Sequence, residues 1–121
     1  MISEDEVLGF AAALFRSVWA LELLLALRRA RDRAWSADEL IKELRSSQVV
    51  IAEALNNLVV AGLVVEEEGG RFRYHPATAA DEMVGELEKL YATKPTSVMR
   101  EIVSTPNEKL KILSDAFRIK E

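Results

Sequence analysis

Apolar residues at positions 7, 8, 10, 11, 14, 15, 18 and 19 recur at the spacing of one helical face. Ser3, with Glu6 three residues on, makes a capping box, so the pattern predicts a helix opening at residue 4. A second stretch, Ser17 to about Arg31, carries Val18, Leu21, Leu24, Leu25 and Ala26 or Leu27 on its apolar side. It is apolar nearly all round, which predicts burial on several sides rather than one. The periodicity fits either one long helix over 4–31 or two helices with a bend near Arg16–Ser17.

The pattern then shortens. Ser36 and Glu39 form another capping box, and Leu40, Ile41 and Leu44 predict a short helix over 37–44. Residues 45–47 make a tight connection, and Ser46 or Ser47 caps a helix over 47–60. Its buried face is marked by Val50, Ile51, Ala54, Leu55 and Leu58, and Gly62 supplies a left-handed stop. Helix, short turn, helix is the pattern of a helix-turn-helix.

A hairpin follows. Leu63–Glu68 is rich in β-formers at its start, Gly69-Gly70 reads as a two-residue turn, and Arg71–His75 alternates until Pro76 ends it. Alternation predicts Phe72 and Tyr74 on one side of the strand, Arg71 and Arg73 on the other. Thr78 with Asp81 predicts a capped helix over 79–92, broken by Thr93-Lys94-Pro95. Residues 97–103 predict a short helical turn or two. Thr105-Pro106-Asn107-Glu108 predicts the start of a last helix over 106–118, with Leu110, Ile112, Leu113, Ala116 and Phe117 on one side. The 121 residues thus read as a single domain, mainly α with a small β-hairpin, without repeats or low-complexity linkers.

Composition changes this picture in two places. The formal net charge is −4, so no overall positive field points to nucleic acid. Local patches matter more than the sum: residues 28–33 hold four Arg against one Asp, and Glu66, Glu67 and Glu68 run just ahead of Arg71 and Arg73. The chain has no cysteine, which removes disulfides and thiolate chemistry and fits a reducing, cytoplasmic setting. Residues 7–27 are apolar enough to test as a membrane span. Arg16, Ser17 and Glu22 interrupt them, and the acidic start has the wrong sign for a signal peptide, so buried or dimer-forming helices are expected instead.

Residues 36–76, SADELIKELRSSQVVIAEALNNLVVAGLVVEEEGGRFRYHP, resemble the winged helix-turn-helix of MarR-like and related bacterial transcription regulators. The shared features are the capped short helix, a second helix ending L-x-x-L-x-x-x-G-L-V, and the short β-wing. Helix 17–31, and Trp35 as a short first strand, extend the resemblance to a core over 17–76. The tail ending LSDAFRIKE is similar to that of some uncharacterised bacterial winged-helix proteins. The resemblance implies a winged helix-turn-helix flanked by N- and C-terminal helices, 4–16 and 78–118, that pair two copies into a homodimer. It implies double-stranded DNA as partner, met by Ser47, Gln48, Val49, Ala52, Glu53, Asn56 and Asn57 of helix 47–60. Ser46, Arg45 and the wing residues Arg71 and Arg73 complete that expected set. Ligand sensing, in such a protein, would use an apolar pocket between dimer helices and winged domain, with Trp19 and Trp35 as lining; the residues name no ligand, cofactor or metal.

The chain departs from the family where affinity is made. A Ser-Arg pair is common where Ala52-Glu53 stand, and basic residues are common where Asn56-Asn57 stand. Lys and Arg contacts to phosphate supply most non-specific affinity by releasing counterions. Between residues 46 and 64 the one charge is Glu53. What remains for DNA is Gln48 for an adenine edge, Ser46, Ser47 and the helix N-terminus for a phosphate, and the wing arginines. Each has a plain structural reading too. The serines cap, Arg71 and Arg73 pair with Glu66 and Glu68, Asn56-Asn57 face solvent, and the 28–33 cluster decorates a helix C-terminus. Val49, Val50, Val59 and Val60 make the helix more apolar than one buried face needs, which favours a protein-interaction module with no DNA binding. One histidine (His75), no phosphate-binding loop and no catalytic signature argue against an enzyme.

Overall fold

A computed structural model describes residues 2–103; the expected last helix, 106–118, lies outside them. The order is α1 (Glu4–Leu14), α2 (Val18–Arg29), β1 (Trp35–Ser36), α3 (Ala37–Leu44), α4 (Gln48–Val60), β2 (Val64–Glu67), β3 (Arg71–Tyr74) and α5 (Thr78–Thr93). A further helical segment covers 95–103. The described chain is mainly helical, with one small three-stranded antiparallel sheet.

Residues 4–29 form two helices, not one. α1 and α2 meet at 107°, and the reason is local. Ser17 is the N-cap of α2 and accepts the Ala20 N–H, so the chain restarts there. The bend strands backbone groups at the end of α1. Asn57, on α4, takes two of them: the Arg16 N–H donates to its Oδ1 at 2.9 Å, and its Nδ2 donates to the Leu14 carbonyl at 2.7 Å. Asn57 is only 8% exposed, the one buried polar residue among those described. The expectation that it faces solvent or DNA is corrected: it staples the corner.

α2 runs through the middle. Ala20, Leu21, Leu23, Leu24, Leu25 and Leu27 are all essentially without solvent contact, as all-round apolarity requires. α2 packs on α4 and β3, and α1 lies against α5. No single helix among the described residues is long and apolar enough to cross a membrane.

α3 has a complete capping box, Ser36 with Glu39. It ends on Arg45, whose φ of 52° is left-handed, a conformation usually left to Gly. The Ser46 N–H reaches the Ile41 carbonyl and the Arg45 N–H reaches Lys42, closing the last turn. Ser47 then caps α4 by accepting the Val50 N–H. α4 ends by the same device with the expected residue: Gly62 at φ 79°, and Leu63 N–H bonded to Leu58.

The sheet order is β1-β3-β2. Trp35 pairs with Phe72, which gives the expected short first strand, while Val64 pairs with Tyr74 and Glu67 with Arg71. That register leaves three residues, 68–70, in the loop rather than the two expected. Gly69 and Gly70 are both left-handed, at φ 80° and 68°. A second correction falls at α5. Its N-cap is Ala77, with no side-chain cap; Asp81, expected to close a capping box, is held instead by Arg28 and Tyr74. A charge-assisted bond outcompetes a neutral cap.

The two neighbouring asparagines make a controlled comparison. Removing the Asn57 amide leaves two partly buried backbone groups without partners, at about 1–3 kcal/mol each. Asn57→Ala is expected to lower unfolding stability by about 2–4 kcal/mol in urea, whereas Asn56→Ala, at an exposed position, changes it by less than about 0.5 kcal/mol.

Candidate functional site

α4 buries Ile51, Ala54, Leu55, Asn57 and Leu58. On its other side Gln48, Val49, Ala52, Glu53, Asn56, Val59 and Val60 are exposed. At about 100° per residue these seven fall within roughly 140° of the helix circumference. The face is continuous and it lacks any cation. Val49 is 66% exposed and Val60 73%, so the extra valines noticed in the sequence do lie outside the core.

The structure gathers only part of the expected DNA-facing set here. Gln48, Ala52 and Asn56 stand on the exposed face, and Ser47 stands at its N-terminal end with its hydroxyl already engaged in capping. Ser46 is half-buried and Arg45 is exposed at the α3–α4 turn. Arg71 and Arg73 do not join them. Strand alternation places Glu66 and Phe72 on the side of the sheet that faces α4, where with Ala52, Leu55, Asn56 and Val59 they line a groove of about 270 Å³. The two arginines are therefore on the opposite side of the strand. There Arg71 meets Glu39 at 3.3 Å, and Arg73 meets Glu67 at 2.9 Å and the Arg31 carbonyl. The expected partners, Glu66 and Glu68, are replaced by Glu39 and Glu67 because the three-residue loop shifts the register.

The basic cluster at the end of α2 is engaged in ion pairs, with Arg28 the least exposed of its members. Arg28 donates to Asp81 at 2.6 Å, to the Tyr74 hydroxyl at 3.2 Å and to Glu88 at 3.3 Å. Gly85 makes room for it: a Cβ there would come within 3.0 Å of the guanidinium. Arg29 reaches Glu88 and Arg31 reaches Asp81. Arg33 binds Glu39 and lies over the Trp35 ring at 3.8 Å. The Glu39 carboxyl is pulled down to about 2, first by the Ser36 backbone N–H and then by Arg33. Asp81 is lowered first by the Tyr74 hydroxyl, and Arg28 and Arg31 add to this against the opposing cost of burial.

The two tryptophans do not share a pocket. Trp19, 40% exposed, lines a groove of about 520 Å³ with Glu22, Leu44, Arg45, Tyr91 and Met99. Trp35 belongs to the sheet, and its Nε1 is buried without a hydrogen-bond partner. Among the described residues no group of His, Asp or Glu is arranged to hold a metal ion. Two contributions were missed in the sequence. Asn57 had a faint signal, since it falls three residues after buried Ala54 at the edge of the apolar stripe. The Arg28 network had none, because its partners lie 46 to 60 residues away. No family model matches the chain, and neither a curated protein nor a solved structure does.

The only two tyrosines, Tyr74 and Tyr91, are both pushed up to about 12, each by burial first and then by a bond to a carboxylate, Asp81 or Glu22. An unfolded tyrosine titrates near 10. Each side chain therefore holds its proton more tightly in the folded chain. Its contribution to stability is complete below about pH 10 and is lost as pH rises through about 12. Absorbance at 295 nm is expected to show almost no tyrosinate at pH 10 in native protein and about half ionisation in urea-unfolded protein. Tyr74→Phe should remove one of the two delayed titrations.

Proposed function

We propose that this chain is a winged helix-turn-helix whose α4 face binds protein rather than DNA. The order α2-β1-α3-α4-β2-β3, with a β1-β3-β2 antiparallel sheet, supports the winged-helix reading of the fold. The observation that carries the functional reading is the exposed side of α4: two valines more than three-fifths exposed, one carboxylate, and no Lys or Arg. A helix entering a major groove must approach phosphates on both sides, and there a carboxylate repels and valines release no counterions. Exposed apolar residues rimmed by polar ones are what a protein interface needs. The fold tolerates either use.

The regulator reading rests on a different observation. Ser46, Ser47 and Gln48 sit at the exposed N-terminal end of α4 beside Arg45, and a helix N-terminus favours an anion. Ion pairs such as Arg71–Glu39 are partly exposed, worth roughly 0–1 kcal/mol, and exchange readily for phosphate. In that reading the chain is a homodimeric transcription regulator. What weighs against it is geometry: the wing arginines lie on the sheet face turned away from α4, so they extend no common basic surface with it.

Fluorescence anisotropy against mixed-sequence duplex DNA, from about 20 to 200 mM salt, separates the two. The expected result is no binding at micromolar protein even at the lowest salt, unchanged in the Arg71→Ala, Arg73→Ala double variant. Binding with a steep salt dependence, weakened by that variant, would establish the regulator reading instead.

A further inference from the structure

The exposed row along the middle of α4 reads the same in both directions. Val49, Glu53, Asn56 and Val60 follow at steps of four, three and four residues, all exposed, apolar at both ends and polar in the centre. At about 100° per residue the four lie within roughly 60° of one another. A row palindromic in spacing and in chemistry is self-complementary under a two-fold axis, the operation that relates two equal subunits through the same patch.

We infer that α4 pairs antiparallel with α4 of a second copy of this chain, about a two-fold axis level with the Ala54–Leu55 peptide; this rests on the protein-binding reading of the α4 face. In that arrangement Val49 packs on Val60 of the partner subunit, and Val60 on Val49 of the partner subunit. Glu53 accepts a hydrogen bond from the side-chain amide of Asn56 of the partner subunit, twice by symmetry. On one flank Ala52, small enough to let the helices approach closely, lies beside Val59 of the partner subunit. Every exposed group of the row thus meets one of matching character, and the carboxylates are met by amide donors rather than left unpaired. A parallel pairing fails the same test, because it sets Glu53 against its own copy.

Two further features favour a second copy over another partner. The row has no cation and one carboxylate per copy, so association needs no countercharge from outside. The Asn57 staple, about 70° round α4 from the centre of the row, also ties the helix to the α1–α2 corner, so the face is presented preorganised. The face of one 13-residue helix is smaller than the roughly 800 Å² per partner of standard interfaces, so the dimer is weak, with a dissociation constant on the order of 10–100 µM.

Sedimentation equilibrium of the full chain, over about 1 to 500 µM, is expected to show a reversible monomer–dimer equilibrium centred in that range. Val60→Lys and Val49→Lys should each leave the chain monomeric throughout with an unchanged circular dichroism spectrum, since both side chains stand in solvent. The absence of cysteine gives a test of orientation. Mixing Val49→Cys with Val60→Cys under oxidation should yield the mixed disulfide dimer. Either variant alone should yield little, because equal positions end about 16 Å apart along the helix axis and a disulfide spans at most about 7 Å between Cα atoms. A monomer at all concentrations, a dimer indifferent to Val60→Lys, or efficient linkage of each variant to itself would each overturn the pairing. A monomeric chain that also ignores DNA would overturn the pairing alone and leave the α4 face to a different protein; a monomeric chain that binds DNA would overturn both.

Discussion

The side-chain amide of Asn57 holds together the arrangement on which the rest of the fold depends. A corner of 107° between two very apolar helices leaves partly buried backbone groups that neither helix can satisfy. One amide, with a donor and an acceptor, takes a carbonyl from α1 and an N–H from the linker. α1 is thereby directed across α5, α2 is free to be buried on all sides, and α4 is fixed against the corner in one rotation about its own axis. That rotation decides which residues are left outside. Asn56, one residue earlier and about 100° round the helix, lies on the exposed face of α4.

Electrostatics completes the division of labour. The chain holds sixteen Lys and Arg, yet Arg28, Arg33, Arg71 and Arg73 are engaged in ion pairs, while Arg45 stands exposed at the α3–α4 turn. Arg28 bridges α2, β3 and α5 through Tyr74, Asp81 and Glu88; Arg33 and Arg71 converge on Glu39; Arg73 closes on Glu67. Exposed pairs of this kind add little stability one at a time. Their larger effect is on the field, because each neutralises a cation that a phosphate backbone would otherwise attract. The α4 face, with Glu53 as its only charge, is left acidic to neutral.

Most of the elements were legible in the sequence because they rest on local physics. Capping residues, helical period and Gly62 placed α3 and α4 almost to the residue, and alternation placed Phe72 and Tyr74 on one side of the strand. Misreadings came where a distant partner won over a local rule. Asp81 has the spacing of a capping residue but is claimed by Arg28 from 53 positions away. Asn57 looks like its neighbour until the corner it serves exists. The hairpin loop gained Glu68 because the register follows cross-strand pairing rather than the Gly-Gly signal. For the site, the unusual valines of α4 were visible in the sequence, but not that Arg71 and Arg73 face away from them; that follows from strand parity combined with the packing of Phe72.

The two uses of α4 exclude one another physically. A helix buried against its symmetry mate cannot enter a groove, and the groups that would favour pairing, exposed valines and an amide opposite a carboxylate, are those that disfavour phosphate. An ancestral DNA-reading surface converted to self-association would have to lose its cations first, since like charges across a two-fold axis repel at short range. Adding apolar residues to a still basic face would produce neither a good reader nor a good dimer. The α4 face has both properties together, cations absent and valines exposed, and neither residue set is needed for the core. Loss of cations alone would fit a helix simply released from DNA binding. The exposed valines do not, because solvent-facing Val49 and Val60 gain nothing from packing and have below-average helix propensity. A partner surface accounts for both at once.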